Sequence, residues 1–153
     1  MPNADPGVTA TILLVEDDPG DELMAREAFA DDAQSSELHV ARDGQEALDF
    51  LFRRGKHAQA PRPDFILLDL NLPRVDGRQV LRQVKGDASV ASIPVVVLTT
   101  SSAVEDVVAC YGAHGNAYIT KPSGYDEFVG VVRQINQFWL DTARLPGAVT
   151  PRS

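Results

Sequence analysis

The 153-residue chain is predicted to be a three-layer α/β sandwich built on a five-stranded parallel sheet. Two observations predict this class. Apolar runs rich in β-branched residues alternate strictly with segments of helical period, and three of those runs are apolar at nearly every position. Continuous apolarity marks a strand covered on both faces, as happens in parallel sheets whose right-handed crossovers place helices on each side. The length fits one domain of about 100–200 residues. We place that domain at residues 11–144, between a loose lead at 1–10 and a flexible tail at 145–153, both marked by Pro and Gly.

The expected strands are 11–16, 38–41, 64–69, 94–99 and 117–120. The first, third and fourth, with Ile12 to Val15, Phe65 to Leu68 and Val95 to Leu98, are the central ones. The expected helices are 20–30, 45–54, 77–85, 104–111 and 125–144; in the last, Phe128, Val132, Ile135 and Trp139 recur at helical intervals. Between the second helix and third strand lies a basic segment, from Arg53 to Pro63, longer than the connection requires.

Composition excludes several functions. A formal net charge of −8 repels nucleic-acid phosphates. No stretch reaches the ~20 apolar residues of a membrane span and no secretory leader is evident, so the expected location is the cytoplasm. The single Cys110 cannot form an internal disulfide and sits among Val107, Val108 and Ala109 as a core residue. His39, His57 and His114 have no zinc-ligand spacing.

In a doubly wound sheet, chemistry gathers at the carboxyl ends of the strands. Those ends read Glu16, Asp17 and Asp18 after the first strand, Asp69 after the third, Thr99 closing the fourth, and Lys121 with Pro122 after the fifth. Crowded carboxylates repel unless a cation offsets them, and an all-oxygen donor set favours a hard divalent ion such as Mg²⁺. With a fixed ammonium and a hydroxyl, the set forms a receptor for a phosphoryl group, and Asp69 is the best-placed nucleophile. A purely structural salt bridge between Lys121 and the acids is the alternative.

These residues resemble the receiver domain of two-component response regulators over residues 11–139. The matching elements are Glu16-Asp17-Asp18-Pro19 after the first apolar run, Asp43-Gly44 before the second helix, Asp69 followed by Leu70, Asn71, Leu72, Pro73 and Gly77, Ile93-Pro94 through Thr99, and Gly115 through Tyr118 to Lys121-Pro122. The resemblance implies a flavodoxin-like (βα)5 fold of strand order 2-1-3-4-5. It implies that Asp69 accepts a phosphoryl group from a sensor histidine kinase, with Thr99 and Lys121 on the phosphoryl oxygens. Mg²⁺ would be held by Asp17, Asp69 and the backbone carbonyl of Asn71, with Glu16 acting through water. It also implies that Tyr118 turns inward on phosphorylation and that the Lys121-Pro122 bond is cis. The protein would then be a signalling phosphoacceptor that assists its own phosphotransfer and dephosphorylation rather than a turnover enzyme. The Arg53–Pro63 insertion, with Glu16-Asp17-Asp18-Pro19-Gly20-Asp21 and the run from Leu70 through Pro73 to Gly77, is similar to single-domain regulators associated with bacterial phytochromes, which makes a bacteriophytochrome kinase the expected partner.

After the fifth helix the sequence has a short tail, so the expected output is a protein contact. Apolar residues cover about half the circumference of that helix, more than the ~100° needed to face a sheet. We therefore expect a homodimer through the fourth helix, fifth strand and fifth helix, with Val104, Tyr111, Tyr125, Phe128, Val132, Phe138 and Trp139 at the interface; the alternative is that Phe138 and Trp139 fold back within one subunit. A haloacid-dehalogenase-like phosphatase needs a second acid two residues after the nucleophile, where this chain has Asn71. A flavodoxin-like electron carrier needs a Ser/Thr/Gly phosphate loop where this chain has three acids. A receiver that acts only as a binding module, without phosphorylation, is a further alternative.

Overall fold

Five parallel strands form one sheet in the order β2-β1-β3-β4-β5. The computed structural model describes residues 10–30 and 36–146. The elements run β1 (Ala10–Val15), α1 (Pro19–Ala30), β2 (Ser36–Ala41), α2 (Gly44–Leu51), β3 (Phe65–Leu68), α3 (Gly77–Lys85), β4 (Val95–Thr99), α4 (Val104–Gly112), β5 (Ala117–Thr120) and α5 (Tyr125–Asn136). β1, β3 and β4 are buried at every position, whereas the edge strands β2 and β5 are mostly half-exposed. Continuous apolar runs thus became central strands, as the burial of both faces demands.

Alternation along each strand sorts the side chains into two cores. Leu13, Val15, Ile66, Leu68, Val95 and Val97 face a core shared with α2 and α3 and with Cys110 of α4. Ile12, Leu14, Phe65, Leu67, Val96 and Leu98 face one shared with α1 and α5. Cys110 is buried, and burial pushes its thiol pKa up, in keeping with a packing role.

The lead and tail expected at 1–10 and 145–153 lie outside the described residues except at three positions. Ala10 opens β1, and Leu145, followed by Pro146, is only 3% exposed. Among the described residues no helix is long and apolar enough to cross a membrane.

The basic insertion is tied down by its own neighbours. Lys56 and His57, in a single 3-10 turn (Gly55–His57), reach Glu46 at 3.1 and 3.3 Å, Arg54 reaches Asp49 at 3.5 Å, and Arg62 donates to Ser89 O and Ser92 Oγ. His57 also packs on Phe50, whose ring meets His39 as well. Much of the local positive charge is therefore paired with Glu46 and Asp49 of α2.

The expected fifth helix divides in two. α5 ends at Asn136 and continues as a π-helical turn (Gln137–Thr142), in which Ala143 N donates to Phe138 O. Three of the expected interface residues are corrected here. Phe128 is 2% exposed and Val132 fully buried, because α5 packs against α1 as well as the sheet, so the wide apolar stripe has two neighbours inside the subunit. Trp139 is half-buried and stacks on Phe65 of β3 with ring centroids 6.4 Å apart, so it too belongs to the subunit's core. Val104, Tyr111, Tyr125 and Phe138 are at least half exposed, as is Val108.

Candidate functional site

The order of the sheet reverses between β1 and β3, and the acids that follow these two strands meet there. Backbone hydrogen bonds carry the ladders one residue beyond the strands: Glu16 N donates to Ala41 O, Asp69 N to Val15 O, and Lys121 N to Thr99 O at 2.7 Å. Glu16, Asp69, Thr99 and Lys121 are therefore aimed by the sheet itself. Glu16, Asp69 and Thr99 are buried, while Asp17 and Asn71 are exposed at the mouth.

Both carboxylate oxygens of Asp69 are engaged. Oδ1 accepts the Thr99 hydroxyl at 2.9 Å and the Asn71 backbone N–H at 3.2 Å, and Oδ2 accepts the Lys121 ammonium at 2.9 Å. Ligand oxygens of Glu16, Asp17 and Asp69 lie within 4.8 Å of one another. Three hard oxygen donors so close together fit a divalent cation of the Mg²⁺ or Mn²⁺ kind. The structure thus brings together Glu16, Asp17, Asp69, Thr99 and Lys121, with Asn71 on the adjoining loop.

Lys121, with a side chain 5% exposed, is paired with three acids: Glu16 at 2.7 Å, Asp21 at 2.7 Å and Asp69 at 2.9 Å. Burial opposes its charge, but the hydrogen bonds it donates to Asp21 and Glu16 prevail and hold its pKa above the usual lysine value. Burial pushes Glu16 up to about 7, against the pull of Lys121. The salt bridge expected as the alternative is thus present, made by the same residues that were expected to receive a phosphoryl group.

A proton on Glu16 competes with a cation for this pocket. The folded protein holds that proton up to about pH 7, so a divalent ion must displace it at lower pH and need not at higher pH. Affinity for Mg²⁺ is expected to fall severalfold between pH 8 and pH 6 and to level off above pH 8. Calorimetric titration at the two pH values checks this; a flat profile would mean that Glu16 ionises normally.

Two glycines shape the rim by admitting close backbone contacts. A Cβ at Gly77 would overlap the carbonyl of Asp69 and the Cα of Leu70, and one at Gly44 would overlap the backbone of Val75. Asp43 caps α2 by accepting Glu46 N at 2.7 Å, so Asp43-Gly44 both starts α2 and seats it on the loop that carries Asn71. Gly77→Ala is expected to lower stability by about 1–3 kcal/mol, since backbone must move to admit the methyl group. Urea unfolding measures it, and a change below about 0.5 kcal/mol would mean that the loop yields freely.

A second polar network leads away from the site and was not foreseen. Two residues past Thr99, the Ser101 hydroxyl donates to Asp106 at 2.6 Å, and Asp106 is held bidentately by Arg78 at 2.9 Å through both nitrogens. Tyr118 donates its hydroxyl to Ser101 O at 2.8 Å, with its ring against the core. The inward pose expected of Tyr118 after phosphorylation is thus already adopted, because the Ser101 carbonyl offers an acceptor and the core a bed for the ring. The expected cis bond is corrected as well: Lys121-Pro122 is trans, and no cis peptide occurs among the described residues. Lys121 reaches all three acids from the trans backbone.

The geometry agrees with comparisons to known proteins. The family model of the response regulator receiver domain matches residues 12–133. The chain is 44% identical over 137 residues to response regulator Rcp1 of Synechocystis, covering 90% of this chain and 93% of that one. The Mn²⁺-bound structure of Rcp1 superposes with a TM-score of 0.87, covering 90% of this chain and 99% of that one. The phosphorylated cyanobacterial phytochrome response regulator RcpA gives a TM-score of 0.89 at 45% identity, covering 91% and 99%. RPA3017, a response regulator in red light signaling of R. palustris, gives 0.81 at 37% identity, covering 90% and 98%.

Proposed function

The chain belongs to the response regulator receiver family, and from that premise we propose that Asp69 accepts a phosphoryl group from the phosphohistidine of a sensor kinase. One observation carries the assignment: a buried carboxylate at the switch point whose two oxygens are met by the Thr99 hydroxyl and the Lys121 ammonium. Attack through one oxygen leaves those donors beside the incoming phosphoryl oxygens, where they offset its charge. Asp17, Asp69 and the Asn71 carbonyl would hold Mg²⁺, with Glu16 acting through water; the ion would supply charge compensation for the phosphoryl oxygens. The same residues assist both phosphotransfer and the later loss of the group. Thr99 leads to Ser101, Asp106 and Tyr118, so the phosphoryl group biases the surface of α4 and β5.

Likeness to the phytochrome regulator RcpA and to RPA3017 supports a light-sensing kinase, a bacteriophytochrome, as the upstream partner in the cytoplasm. The exposed stripe of Val104, Val108 and Tyr111 on α4, with Tyr125 at the start of α5, supports a homodimer through α4, β5 and α5. In the test, the chain is incubated with acetyl phosphate and Mg²⁺, followed by intact mass and sedimentation velocity. The expected result is one added phosphoryl group, lost when a chelator is present, and a dimer in the micromolar range. An unlabelled chain would favour a receiver that acts only as a binding module; a monomer at every concentration, with and without phosphodonor, would reject the dimer.

A further inference from the structure

Lys121 has three ammonium protons, and each has a carboxylate: Glu16 Oε1 at 2.7 Å, Asp21 Oδ2 at 2.7 Å and Asp69 Oδ2 at 2.9 Å. Its donor capacity is full. When Asp69 becomes an acyl phosphate its carboxylate charge is consumed and that contact passes to a phosphoryl oxygen, and drawing the ammonium onto this more highly charged group weakens its hold on the other two acids. Resting on the phosphoacceptor reading above, we propose that Asp21 is a positioning residue that parks the Lys121 ammonium in the unphosphorylated chain and gives it up when Asp69 takes a phosphoryl group.

Burial decides which acceptor is released. The side chain of Glu16 is 4% exposed, so water cannot replace a lost ammonium there at small expense. Asp21 is 22% exposed, on the first turn of α1, and water can take over its carboxylate. The turn fixes Asp21 in place, because Asp21 N donates to Asp18 Oδ2 at 2.8 Å. In the transfer itself, an Asp69 oxygen forms its bond to phosphorus as the bond between phosphorus and the donor oxygen breaks; with acetyl phosphate, acetate leaves with the electron pair. Asp21 touches none of these atoms. It acts through Lys121, by competing for the ammonium before the transfer and stepping aside during it.

Asp21→Asn keeps the size but replaces a charged acceptor with a neutral one. With acetyl phosphate and Mg²⁺, this variant is expected to take label about five- to tenfold faster than the native chain, the weight of one charge-assisted hydrogen bond exchanged for a neutral one. It is also expected to bind beryllofluoride, a phosphoryl mimic, more tightly by the same factor. Asp21→Glu, which keeps the carboxylate, labels more slowly than Asp21→Asn. Glu22→Gln removes a charge one residue on, where the side chain pairs with Arg26 and Arg42 and not with Lys121, and leaves both readouts unchanged. An Asp21→Asn chain that labels and binds no better than native, labelling of Asp21→Glu as fast as Asp21→Asn, or an equal gain in Glu22→Gln would overturn the positioning role while leaving Asp69 as the acceptor. A native chain that takes no label would overturn both.

Discussion

Asp69→Asn is expected to abolish labelling by acetyl phosphate while leaving the fold intact. An amide oxygen is a poor nucleophile, and none of the neighbouring acids sits between the Thr99 hydroxyl and the Lys121 ammonium as Asp69 does. The fold survives because the amide oxygen can still accept from Thr99 and the Asn71 N–H, and Lys121 keeps Glu16 and Asp21. Stability should stay within about 1 kcal/mol of native, since the lost ion pair is offset by relief of repulsion between Asp69 and Glu16. Intact mass and urea unfolding read the two effects separately. Labelling of the variant at the native rate would place the acceptor elsewhere.

Lys121→Met is expected to have the largest effect on stability. The variant keeps most of the side-chain bulk and removes the cation shared by Glu16, Asp21 and Asp69. Uncompensated buried carboxylates should cost about 3–5 kcal/mol at pH 8. The pH dependence has a definite sign. Without the ammonium, the already raised Glu16 pKa rises further above its ordinary 4.5, so the folded variant binds protons more tightly than the unfolded chain. The deficit is then largest well above pH 7 and shrinks as pH falls to about 7, the native Glu16 value, below which this group is protonated in both folded proteins. Unfolding at pH 8 and pH 5.5 measures this; equal deficits at both would mean that packing of the lysine stem, and not its charge, stabilises the site. Labelling should be lost as well.

What the sequence disclosed and what it hid have physical reasons. β1, β3 and β4 were legible because a strand buried on both faces has no polar face to confuse with a helix, and the strand-end residues Glu16, Asp69, Thr99 and Lys121 followed from where such a sheet puts its ligands. Asp21 was not legible as a site residue, because an acid in the first turn of a helix also has a sufficient local reason, the helix dipole. The Arg78–Asp106 pair joins residues 28 apart on two helices, and no local pattern announces such a partner. The apolar circumference of α5 overstated the free surface at Phe128 and Val132, since one-dimensional periodicity counts apolar residues without revealing that α1 covers part of them.

The most direct measurement of the central claim is to locate the phosphoryl group chemically. The chain is labelled with acetyl phosphate and Mg²⁺, the acyl phosphate is reduced with borohydride to homoserine, and the peptides are sequenced by tandem mass spectrometry. The account predicts homoserine at position 69 and at no other aspartate. Homoserine at Asp17, Asp21 or Asp43, with Asp69 unmodified, would contradict it.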